Sequence, residues 1–136
     1  MSGGKMVGIV LVSHSGPVAE SVAELAKGLA AGGATAPVAA AGGTPEGGLG
    51  TSTELIAEAA RSVDGGAGVA LLADLGSAVL TIKTMLAEDD ELPAGSRLVD
   101  APFLEGAVAA VVTASAGGDI AAVAAAASEA HDYHKV

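Results

Sequence analysis

Between Val7 and Leu29 the chain reads VGIVLVSHSGPVAESVAELAKGL. The run Val7–Val12 is apolar apart from Gly8, with none of the polar alternation of a strand that faces water on one side. A strand of that kind is buried on both faces, which restricts the fold to a sheet covered by helices on either side. Ser13-His14-Ser15-Gly16-Pro17 stops the run, and Pro17 suits a first helical turn. The apolar positions that follow, Val18, Val22, Leu25, Ala26 and Leu29, recur at helical spacing and predict one buried stripe.

The same unit repeats along the chain. Pro37–Ala41 reads as a short strand, followed by a glycine-rich loop, Gly42 to Gly50, and by Thr51-Ser52-Thr53, which offers helix caps. The next helix carries Ile56, Ala59, Ala60 and Val63 on one side. Gly68–Asp74 is a third strand, apolar until Asp74; Leu75-Gly76-Ser77 is its turn, and Ala78 to Ala87 is helical. Arg97-Leu98-Val99 is a fourth strand, Pro102 to Ser115 a helix broken at Gly117-Gly118, and Asp119 caps a last helix from Ile120 to about Ala130. Four alternations predict a three-layer α/β sandwich with a mostly parallel four-stranded sheet. One domain over residues 1–136 is expected, its ordered core at about 7–130.

Composition limits the partners. Net charge is −10 with 6 Lys plus Arg, so no basic surface offsets phosphate repulsion along a nucleic acid, and the same charge argues against an anionic membrane surface. Phe103 and Tyr133 are the only aromatic side chains, which leaves no platform for stacking on bases and a core of Val, Leu, Ile and Ala. No apolar run approaches the ~20 residues that span a bilayer. MSGGKM at the start lacks the features of a secretory signal, and a cytoplasmic location is expected. Without cysteine there are no disulfides, thiolate metal sites or cysteine nucleophiles.

In open α/β sheets ligands sit at the carboxyl ends of the strands, where strand order reverses. That rule collects His14, the Gly42–Thr53 segment, Asp74 to Ser77 and Pro102 to Glu105 on one edge. An isolated histidine is ordinarily a surface residue or a hydrogen-bonded spacer. His14 differs in ending a buried strand between two hydroxyl residues, just before a helix N-terminus that favours anions. Asp74 ends another such strand, within plausible reach of it. A serine hydrolase is disfavoured, because no G-x-S-x-G elbow exists and Ser13 and Ser15 are too near His14 in sequence for a triad. The glycine-rich loop has no lysine where a P-loop needs one, and a plain connection is its bland reading. His131 and His134 form an H-x-x-H pair in a solvated tail; neither metal nor cofactor is implied.

What remains for a histidine among helix N-termini, hydroxyls and glycine amides is to carry a phosphoryl group. Neutral imidazole is a nucleophile near neutral pH, and amide or hydroxyl donors such as Ser15 stabilise the equatorial oxygens. A carboxylate accepting from one ring nitrogen leaves the lone pair of the other free. The alternative is a non-catalytic α/β regulatory module that binds a partner or small anion.

The segments VLVSHSGPVAESVAEL, GLGTSTELI, LLADLGSAVLTIKTML and APFLEGAVAAVVTASAG, in this order, resemble the phosphotransferase subunits of bacterial dihydroxyacetone kinases, relatives of the mannose-family enzyme IIA domains. The resemblance runs from about Val7 to about Ala130. It implies a phosphoryl relay that accepts phosphate from the phosphocarrier protein HPr and passes it to ADP on a nucleotide-binding kinase subunit. The acceptor histidine of the family maps onto His14 and its aspartate partner onto Asp74; Ser77 and Thr51 lie in matching motifs. It also implies a homodimer, and a single-domain form served by a separate HPr.

Overall fold

A computed structural model describes residues 5–88 and 91–136; Met1–Gly4 of the MSGGKM start lies outside the described residues. Strands β1 (Gly8–Ser13), β2 (Val38–Gly42), β3 (Val69–Ala73) and β4 (Ser96–Leu98) form one sheet in the order β2-β1-β3-β4, and all three pairings are parallel. Helices α1 (Gly16–Leu29), α2 (Thr53–Val63), α3 (Gly76–Ala87), α4 (Phe103–Ser115) and α5 (Ile120–Glu129) follow or connect them.

Successive side chains of a strand point to opposite faces, and here both faces are covered. Ile9, Leu11, Ala70 and Leu72 pack under α1, α4 and α5. Val10, Val12, Val69 and Leu71 pack under α2 and α3. All six residues of β1 are buried, which accounts for its unbroken apolar run. The result is the expected three-layer α/β sandwich. Among the described residues no helix is long and apolar enough to cross a membrane.

The strands lie within a residue or two of their sequence-based positions, but two helices differ. In α1 the buried residues are Ala19, Ala23 and Ala26, while Val18, Leu25 and Leu29 are exposed and Val22 is only partly covered. Of the expected stripe, only Ala26 is fully inside. Alanine lets the helix backbone lie close to β2 and α4, and the longer side chains are turned to the flanks. In α3 the helix starts at Gly76, two residues early, because Leu75 is an extended N-cap with no side-chain bond and so carries no sequence signal. Ser77 therefore belongs to the first turn of α3.

Gly117 ends the α4 region with φ 95, where a side chain would be strained, and the Gly117 and Gly118 amides return to the carbonyls of Ala114 and Thr113. Chain reversal there lets α5 run back beside α4 towards the carboxyl edge of the sheet.

The α1 packing makes a direct test. Ala26→Leu should lose about 1–3 kcal/mol by overpacking a filled interface, whereas Leu25→Ala should stay within about 0.5 kcal/mol of the parent. Urea unfolding of the two variants measures both.

Candidate functional site

The chain leaves β1 for β2 on one side and returns to β3 on the other, so strand order reverses between β1 and β3. Their carboxyl ends form the crevice that such folds use. Val12 pairs with Ala73, and the ladder continues one step beyond β3 through Asp74 N–H donating to the Val12 carbonyl at 3.1 Å. That register sets Asp74 beside Ser13 and His14.

The Asp74 carboxylate accepts three hydrogen bonds. Oδ2 takes the Ser13 hydroxyl at 2.9 Å and the His14 backbone N–H at 3.1 Å. Oδ1 lies 3.0 Å from His14 Nδ1, and since a carboxylate only accepts, Nδ1 carries the proton. In the neutral ring Nε2 is then the acceptor, and the Ser77 hydroxyl donates to it at 2.5 Å. The side chains of His14 and Asp74 are 25% and 18% exposed, so the ring is reachable while its partner is mostly covered. Desolvation pushes the Asp74 carboxyl upward, but the His14 backbone N–H, the imidazole and the Ser13 hydroxyl outweigh it and hold the group below its ordinary value.

On the other side the glycine-rich loop is hydrogen-bonded rather than slack. Gly43 N–H donates to the Ser13 carbonyl at 3.1 Å and Gly50 N–H to the His14 carbonyl at 2.9 Å. Within the loop Thr44 exchanges bonds with Gly48 and accepts from Gly47. Gly43 has φ 69, and a Cβ on Gly42 would run into the backbone of Ser15 and Gly16. Glycine is required where this loop meets the His14 turn.

The other expected residues lie nearby in different roles. Ser15 caps α1, its hydroxyl accepting from Val18 N–H at 3.3 Å, and Ser52, out of the Thr51–Thr53 trio, caps α2. Thr51 makes no hydrogen bond to His14: its hydroxyl is 3.3 Å from that of Thr81, which donates to the Ser77 carbonyl at 3.1 Å. Thr51 thus reaches the ring only through the first turn of α3. Glu105, at the start of α4, pairs with Lys135, which holds its carboxyl low. His131 Nε2 bonds Asp100 at 3.1 Å, away from His14. An open cleft of about 430 Å³ between α3 and the end of β4, lined by Val79, Lys83 and Asp100 among others, does not take in His14. Sequence reading gave no weight to Thr81, although its place four residues after Ser77 puts both on one helix face. Ser13 reads from the sequence as a flanking hydroxyl and a poor triad nucleophile, although a polar residue closing a strand buried on both faces signals a hydrogen-bond partner.

Residues 8–124 match the model of the family described as PTS system fructose IIA component. The phosphoryl donor subunit DhaM of the PEP-dependent dihydroxyacetone kinase of Escherichia coli (strain K12) is 38% identical over 117 residues, 85% of this chain and 25% of that protein. The chain thus spans about a quarter of the length of that relative. The DhaM subunit of PEP-dependent dihydroxyacetone kinase 2 of Listeria innocua is 36% identical over 108 residues, covering 79% of this chain and 85% of that one. Among solved structures, the unknown-function protein EF1359 superposes with a TM-score of 0.75 at 30% identity, over 91% of this chain and 94% of that one. A sigma-54 interaction domain protein from Enterococcus faecalis, with a TM-score of 0.60 at 18% identity over 88% and 85%, shares the fold alone. With the family model spanning most of its length, the chain belongs to the mannose-type enzyme IIA family, described as PTS system fructose IIA component.

Proposed function

We propose that the chain is the phosphoryl relay of a PTS-dependent dihydroxyacetone kinase. His14 Nε2 takes a phosphoryl group from the phosphohistidine of HPr and donates it to ADP held on the nucleotide-binding kinase subunit. The observation that carries this reading is the ring held at both nitrogens, with a carboxylate on Nδ1 and a hydroxyl on Nε2. The names of the relatives, phosphoryl donor subunits of PEP-dependent dihydroxyacetone kinases, supply the system in which such a ring works. In this reading the domain acts in the cytoplasm as a homodimer.

In the accepting step the Nε2 lone pair attacks phosphorus, the P–N bond of the donor breaks, and its electron pair stays on the donor's ring. The proton on Nδ1 does not leave; its bond to Asp74 strengthens as the His14 ring becomes cationic. The Ser77 hydroxyl turns away from the lone pair and donates instead to a phosphoryl oxygen. First-turn amides of α3, a helix with no side-chain cap, add donors beside Ser77. In the donating step an oxygen of the terminal phosphate of ADP attacks the same phosphorus, the Nε2–P bond breaks, and the ring returns neutral. Leu49, Leu75 and Leu80 are 82%, 59% and 66% exposed on the segments that carry Gly50, Asp74 and Ser77. Exposed apolar groups on these segments suit the approach of a protein surface.

His14→Ala should keep its fold, since the ring is not part of the core, and should gain no phosphoryl group. Intact mass after incubation with phosphoenolpyruvate, enzyme I and HPr reads this, and phosphate on His131 or His134 in that variant would overturn the assignment. In the parent, ³¹P NMR should place the group on Nε2.

Asp74→Asn should slow single-turnover acceptance by roughly a hundred-fold while the circular dichroism spectrum is unchanged; an unaltered rate contradicts the role given to the carboxylate. The same variant tests linkage. Because the folded value of Asp74 lies below its ordinary 3.8, the stability it contributes is complete above that pH and is lost as pH falls through the lower folded value. Urea midpoints followed down from about pH 6 to about pH 2 should therefore fall less steeply in Asp74→Asn than in the parent.

A further inference from the structure

Ser13 is the one buried polar side chain among the described residues, 1% exposed. A hydroxyl has a single proton to donate, and here it goes to Asp74 Oδ2 at 2.9 Å, while the oxygen accepts from Ser15 N–H at 3.1 Å. We infer that Ser13 is a positioning residue, whose hydroxyl sets the Asp74 carboxylate and through it the tautomer that His14 presents. For its effect on phosphoryl transfer this rests on the relay reading above.

The argument turns on what else holds Asp74. Its two other donors are the backbone and ring N–H groups of His14, the residue that Asp74 is meant to orient. Ser13 is fixed independently of that ring. It pairs with Gly42 in the β1–β2 ladder, and its carbonyl accepts from Gly43 N–H at 3.1 Å. The outer torsion of an aspartate is broad and roughly two-fold, and without Ser13, Oδ2 would keep a single donor, the His14 backbone N–H at 3.1 Å, so the plane of the carboxylate would be less firmly set. With Oδ2 engaged by Ser13, Oδ1 is left facing Nδ1 at 3.0 Å, and the proton is kept on that nitrogen. The Nε2 lone pair is free for phosphorus only in that tautomer.

The experiment uses ¹⁵N-labelled full-length chain, with the ring ¹⁵N shifts of His14 read in the neutral ring and no phosphoryl donor present. The parent should be in the Nδ1–H form. Ser13→Ala should show a measurable fraction of the Nε2–H form and a roughly ten-fold slower single-turnover phosphorylation, with KM for the donor unchanged. Ser13→Thr, which restores a hydroxyl, should recover both. A Ser13→Ala protein that keeps the parental tautomer overturns the inference, as does a slower rate that a folded Ser13→Thr leaves uncorrected. If the extra methyl prevents Ser13→Thr from folding, the tautomer in Ser13→Ala decides alone. A parent His14 that never accepts phosphate would end the relay reading but leave the tautomer comparison standing.

Discussion

A carboxylate at the end of a strand buried on both faces must find donors or lose its charge. Asp74 finds three within 3.1 Å, from Ser13, the His14 backbone and the His14 ring. Their combined effect exceeds the cost of partial burial, so the group stays ionised. Much of the rest of the molecule serves this arrangement. Parallel pairing of β1 with β3 brings the two strand ends level, and the Asp74–Val12 backbone bond holds them there. α1 and α3 start immediately beyond, bringing hydroxyls and unpaired helix amides to the same few ångströms.

The division of labour around the ring follows from that carboxylate. Nδ1 faces a group that can only accept, and Nε2 faces one that can donate or turn aside. The protein side of the ring is therefore rigid and the outer side adjustable. Rigidity extends into the glycine-rich loop, whose amides clasp the Ser13 and His14 carbonyls and whose own turn is closed through Thr44. On the outer side, the Ser77 carbonyl is held by Thr81, itself bonded to Thr51, while the Ser77 hydroxyl is tied only to Nε2.

Much of this was legible in the residues. Strands β1 and β3 stand out because both faces are apolar, and His14 and Asp74 because they are polar residues at or just past the ends of such runs. Periodicity served less well in α1, where of the stripe it picked only Ala26 is buried, and packing added Ala19 and Ala23 in place of the larger residues. Which side of an apolar-rich helix goes inward depends on how closely its neighbours approach, and no single helix encodes that distance. The start of α3 was hidden for a local reason, the lack of a capping side chain at Leu75. The enclosure of Ser13 was hidden for a tertiary one. A serine beside a helix start reads as a cap or spacer, and only the pairing of β1 with β2 and β3 reveals that it is enclosed.

His14 and Asp74 lie 60 residues apart, with α1, β2, α2 and β3 intervening. Closing a loop of that length costs entropy that only the finished sheet returns, so the pair belongs to the late, non-local contacts of folding. A nascent chain that has emerged no further than α2 carries the histidine but no partner for its Nδ1. Its imidazole is then an ordinary, water-exposed base with neither nitrogen selected. In the proposed relay, reactivity is thereby coupled to completion of the fold, and an unfinished or truncated chain would be a poor competitor for phosphoryl groups.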